Sequence, residues 1–147
     1  MASGEITING YAGMSLGASM RGGLIHVKGD SGPRCGVSMK GGDIIVEGKI
    51  GYLSGFMAHA GRIIALGGAG EACADSLWGG EVWVAGPIES LGVDSKIAQP
   101  SDDEIEQIET LLTSRGLDDS SRSWQKIVSA ERLWHFESRD ASAWLMI

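Results

Sequence analysis

Gly23-Leu-Ile-His-Val-Lys-Gly29 and Gly42-Asp-Ile-Ile-Val-Glu-Gly48 are the same phrase written nineteen residues apart. Three more copies keep that spacing: Gly4-Glu-Ile-Thr-Ile-Asn-Gly10, Gly61-Arg-Ile-Ile-Ala-Leu-Gly67 and Gly80-Glu-Val-Trp-Val-Ala-Gly86. Five residues rich in β-branched side chains, closed by glycine at both ends, read as a strand and are too short for a stable helix. Side chains alternate faces along a strand. Ile6, Ile25, Ile44, Ile63 and Val82 therefore share one direction with Ile8, Val27, Val46, Ala65 and Val84. Both columns point into a common interior.

Outward from these runs, the period holds in the glycines. All but Gly68, Gly92 and Gly116 of the 23 glycines fall in five columns at this spacing. They are led by Gly4, Gly10, Gly13, Gly17 and Gly22, and two columns are each broken once, by Ala74 and Ala60. A fixed period of this length signals a solenoid, in which each unit buries its apolar face only against its neighbours. The expected fold is all-β, a parallel β-helix with 19-residue coils over residues 1–95, rising about 4.8 Å per coil. Met20, Met39, Ala58 and Leu77 supply a second inward column. The repeated glycines, Gly32 and Gly51 among them, are expected at corners that need positive φ.

The outward columns carry charge and one anomaly. Glu5, Leu24, Asp43, Arg62 and Glu81 stack with Arg62 between two carboxylates, and Lys28 lies over Glu47. Thr7, His26, Ile45, Ile64 and Trp83 form a column that turns apolar towards its end. Such a face must be covered, by the C-terminal segment or by a partner.

Only one glycine, Gly116, follows residue 92, which places a boundary near residues 93–100. The segment 96–147 is read as a helical tail that docks on the β-helix or on a partner. Ser101-Asp-Asp-Glu104 is a capping box, and Ile105, Ile108, Leu111 and Leu112 give the first helix its apolar stripe. Trp124, Ile127, Val128, Leu133, Trp134, Phe136 and Trp144 make a second apolar segment.

Composition excludes several functions. A net charge of −7 argues against nucleic acid as partner. No apolar run approaches the roughly 20 residues of a membrane span. The opening Met-Ala-Ser-Gly-Glu lacks the pattern of a signal peptide, so a cytoplasmic location is expected.

Chemistry-bearing residues are scattered. Cys35 and Cys73 share a column two coils apart with Ser54 between them, about 10 Å from each other, too far for a disulfide. Neither has ligand-spaced partners for a metal, so both read as structural thiols. His26, His59 and His135 fall in different columns or segments. His59 shares a column with Arg21, Lys40 and Trp78, a basic stripe open to an anion or to a partner's carboxylates and more simply read as a solvated face. Gly67-Gly68-Ala69-Gly70 lacks the lysine of a phosphate loop and reads as a corner. No catalytic, cofactor-binding or metal-binding residue is assigned.

The motif Gly10-x-x-Gly13-x-x-x-Gly17, repeated at Gly29-x-x-Gly32-x-x-x-Gly36 and Gly48-x-x-Gly51-x-x-x-Gly55, resembles the GXGXG domain that closes the large subunit of glutamate synthase. The same domain recurs as a scaffold subunit of formylmethanofuran dehydrogenase. The resemblance covers about residues 4–92 and implies a right-handed β-helix without catalytic residues. Trp124-Gln-Lys-Ile127 and Ser129-Ala-Glu-Arg-Leu-Trp-His-Phe136 are similar to the ending of stand-alone GXGXG subunits, as in N-methylglutamate synthase systems. This similarity implies partners: a class II glutaminase-like, N-terminal-nucleophile amidotransferase subunit and a synthase subunit carrying FMN and an iron–sulfur cluster. The chain would be a scaffold in a complex that moves ammonia to a keto acid. A formylmethanofuran-dehydrogenase-type scaffold is the alternative, and a free-standing β-helical carbohydrate-active protein is a second one. Family members usually carry more coils. The first coil here is incomplete, and its edge strand is expected to leave backbone groups unpaired.

Overall fold

The computed structural model describes residues 1–119 and 121–133. Its parallel strands are β1 (Glu5–Ile8), β2 (Leu24–Val27), β3 (Lys40–Val46), β5 (Ala60–Ala65) and β7 (Glu81–Val84). Each pairs with the next in parallel, Ile6 beside Ile25, Ile25 beside Ile44, Ile44 beside Ile63 and Ile63 beside Val82. The nineteen-residue register is thus the register of the ladder, and the chain is a β-solenoid. A second wall holds β4 (Lys49–Ile50) against β6 (Gly68–Ala69), so of the Gly67–Gly70 segment, expected to be a corner, Gly67 lies in a bend while Gly68 and Ala69 form a short strand. Ile25, Ile44, Ile63 and Val82 fill the interior with Val27, Val46, Ala65, Val84, Met20, Met39, Ala58 and Leu77, all buried. At the open end, Ile6 of the same column is exposed.

The glycine columns divide into two physical classes. Gly4, Gly23, Gly42 and Gly61 have φ between 88° and 99°, and Gly17, Gly36 and Gly55 between 69° and 80°. Gly32 and Gly51 do not have positive φ, which corrects the expectation for them. What excludes a side chain there is the coil before. A Cβ on Gly51 would lie 2.6 Å from the carbonyl carbon of Gly32 and 2.8 Å from its oxygen. Coils stacked at ladder spacing leave no room for a Cβ that points along the stack.

The turn itself reverses backbone hand at every second residue. Ser15, Gly17 and Ser19 all have positive φ, as do Arg34, Gly36 and Ser38 one coil on. Peptides consequently point alternately up and down the stack. The N–H of Ser15 donates to Pro33 O, that of Gly36 back to Leu16 O, and that of Ser19 to Val37 O, at 2.7–2.9 Å. Only the middle position demands glycine, because its Cβ would point inward. On Gly17 it would sit 2.5 Å from Ile44 Cδ1, and on Gly36 it would collide with Ile63 Cδ1. Ala74 occupies this position in the last turn with φ 62°. The residue at the offset of Ile44 from Gly17 is there Ser101, outside the solenoid strands. The break in the column marks the end of the stack. At Ala60 the other break coincides with a slip in pairing, Lys40 lying beside Ala60 while Asp43 lies beside Arg62.

After β7 the chain runs through β8 (Ser95–Ala98), α1 (Asp102–Ser114) and β9 (Gln125–Ser129). The capping box forms as expected: Ser101 Oγ accepts from the N–H of Glu104, and Glu104 Oε1 accepts from the N–H of Ser101. The second apolar segment is not helical where it is described. Gln125–Ser129 is a strand that lies antiparallel between β7 and β8, with Ile127 beside both Val82 and Ile97. Burial of Ile127 against the core, together with pairing of an otherwise open edge, favours the strand over a helix. Trp134, His135, Phe136 and Trp144 lie outside the described residues.

Candidate functional site

The anomalous outer column is covered by the tail. Ile45, Ile64 and Trp83 pack against Ile108, Leu112 and Trp124 in a second apolar cluster, separate from the solenoid interior. Trp83 and Trp124 meet edge to face with centroids 6.1 Å apart, and Lys126 Nζ lies 5.7 Å from the Trp83 ring. Trp124 Nε1 donates to Glu109 Oε1 at 2.8 Å, tying β9 to α1. Trp83 Nε1 is buried with no acceptor among the described residues.

Where the column turns polar, charged groups take over the docking. Arg115, the C-cap of α1, donates to His26 Nδ1, Glu5 Oε2 and Thr7 Oγ1 at 3.3, 3.0 and 3.1 Å. A guanidinium only donates, so Nδ1 accepts and the ring proton sits on Nε2. From there it reaches Glu47 Oε2 at 2.7 Å. Glu47 is thus engaged by a buried histidine, and the sequence pattern that set it beside Lys28 missed this partner. The signal was present, since Thr7 and His26 are the polar members of the covered column.

The remaining ion pairs also stitch the tail or the ladder. Arg62 holds Asp43 through Nε and Nη2 at 2.6 and 3.1 Å, as the stacked charges predict. Glu81, its other neighbour in the column, pairs with Lys126 at 2.9 Å, and Lys126 also contacts Glu104. Lys126 and the Ser101 N–H hold the Glu104 carboxyl well down, at about 2. Lys49 pairs with Glu89 at the edge of a shallow corner cleft that Asp30, Tyr52 and Glu71 also line.

Cys35 and Cys73 are free and buried. Burial pushes both thiols up to about 12, which leaves them protonated and poorly nucleophilic at neutral pH. Ser54, between them, accepts from the N–H of Cys35 at 3.3 Å. In the basic stripe, Arg21, Lys40 and His59 are exposed. His59 stacks on Trp78 with centroids 6.2 Å apart and the rings inclined by 28°. The structure does not bring His26 and His59 together. Among the described residues no cluster of three or more His, Cys, Asp or Glu could hold a metal ion. No helix among them is long and apolar enough to cross a membrane.

The two ends of the stack differ. β9 covers β7, whereas β1 has no neighbour on its outer side among the described residues. Ile6, whose column is otherwise buried, is 47% exposed at that open end. Comparison of the chain with family models, with curated proteins and with solved structures gives no match.

Proposed function

We propose that this chain is a non-catalytic scaffold subunit of a glutamate-synthase-like complex. It holds a glutaminase-type amidotransferase subunit and an FMN- and iron–sulfur-containing synthase subunit in fixed relation, while ammonia passes to a keto acid. The observation that carries the reading is the turn. The Gly-x-x-Gly-x-x-x-Gly motif behind the resemblance is the segment in which hydrogen bonds run both ways between successive coils. Gly29, Gly32, Gly48 and Gly51 of the motif leave room for the coil before, and Gly17 and Gly36 leave room for the interior side chains of Ile44 and Ile63, which suits a closely packed stack.

The polar clusters support the same reading. His26, Arg62, Arg115 and Lys126 all direct their hydrogen bonds within the chain, to the ladder or to holding the tail. A rigid body of this kind suits the fixing of distances between other subunits. The test is affinity purification from native extract, with mass spectrometry and an absorption spectrum of the eluate. The expected eluate contains an amidotransferase-like chain and a flavin spectrum. A lone colourless chain overturns the proposal, and a molybdenum or tungsten protein in place of the flavoprotein replaces it with the formylmethanofuran-type scaffold.

A further inference from the structure

We infer that His26 is a pH-sensitive latch for α1, and that protonation of its ring releases the last turn of the helix from the solenoid. The imidazole is buried, and both of its nitrogens are engaged. Nε2 donates to Glu47 Oε2, so a second proton can enter only at Nδ1. That atom is the acceptor for the guanidinium of Arg115, the C-cap of α1. A proton placed there would point at an N–H donor, and an imidazolium would face a guanidinium. The ring therefore cannot hold the added proton and Arg115 Nε at once.

Which neighbours travel with the helix decides the direction. From the solenoid the ring meets Glu47, with Thr7 and Ile45 beside it in the adjoining strands and Lys28 two residues along. These four keep their places whether or not the turn is docked. Arg115 arrives with α1, and Glu5, which pairs with it, loses that cation when the turn lifts. Docking thus sets both a positive charge and burial against the imidazolium, and lifting removes both and frees a carboxylate. The docked ring takes up a proton less readily than the lifted one. By linkage, the latch is complete above the range in which histidines ordinarily titrate, about pH 5 to 8, and is lost as pH falls through it. The apolar cluster of Trp83, Ile108 and Leu112 carries no titrating group, so the body of α1 stays docked.

Amide hydrogen exchange of the purified full chain, corrected for the intrinsic effect of pH on exchange, tests this between about pH 8 and about pH 5.5, above the ordinary carboxylate range. The amides of Thr113, Arg115 and Leu117 should exchange about three- to tenfold faster at the lower pH, while those of Ile44 and Ile63 do not change. His26→Asn keeps an acceptor where Nδ1 stands but takes up no proton there, so its exchange should be indifferent to pH. Arg115→Met leaves the strand untouched and should exchange fast at both pH values, without the acceleration. Wild-type exchange in the last turn that does not respond to pH overturns the inference. An acceleration that either variant retains in full overturns it equally, since another group then titrates.

Discussion

Arg115 and His26 stand 89 residues apart in the chain and share a hydrogen bond of 3.3 Å, from the guanidinium Nε to the imidazole Nδ1. The bond closes a relay that runs from Glu47 through the histidine to the C-cap of α1, and on to Glu5 in the edge strand. It fastens the polar half of a column whose apolar half is fastened by Trp83, Ile108 and Leu112.

Arg115→Met keeps much of the side-chain volume and removes all three bonds. It should destabilise the protein by about 1–3 kcal/mol, since a buried imidazole loses a charged donor. Urea unfolding reads the loss, and amide exchange should quicken first in the last turn of α1. Wild-type stability together with unchanged exchange would show that the relay does not hold the helix.

Two glycines of one column should behave oppositely on substitution. A Cβ on Gly51 meets the Gly32 backbone, whereas one on Gly13 meets nothing within 4 Å, and neither residue has positive φ. Gly51→Ala should cost about 1–3 kcal/mol, the penalty of overpacking. Gly13→Ala should stay within about 0.5 kcal/mol of wild type. Thermal melts decide, and equal losses in both would return the explanation to backbone conformation.

The thiols give a signed pH dependence. Both are raised from 9.0 to about 12 by burial, so they bind protons in the folded state that the unfolded chain releases. Their contribution is complete below pH 9 and is lost as pH rises towards 12. Stability of the wild type should therefore fall more steeply over that window than stability of the Cys35→Ala/Cys73→Ala variant. Parallel curves would place the thiols in contact with solvent.

Most of the solenoid was legible because its information is periodic. Once Ile25 and Ile44 are seen to share a column, the register of the main parallel strands follows except at the Lys40–Ala60 slip, and so do the buried methionines. The class of each glycine was not legible, because the same letter answers two demands. Positive φ at Gly17 and a neighbouring carbonyl at Gly51 look identical in sequence, while Ser15 and Arg34 adopt positive φ without glycine. The strand Gln125–Ser129 was missed for another reason. Trp124, Ile127 and Val128 fit a helical stripe as well as a short strand, and only the open edge of β7 decides between them. His26 looked isolated because its partners, Glu47 and Arg115, come from other coils and from the tail.

The most direct test of the scaffold account is an omission experiment on the reconstituted complex. Glutamine hydrolysis by the amidotransferase subunit and ammonia-dependent reduction of the keto acid by the synthase subunit should both survive without this chain. Glutamine-dependent product formation should collapse, and should return when the chain is added back. Glutamine-dependent turnover that is indifferent to the chain, or a half-reaction catalysed by the chain alone, would contradict it.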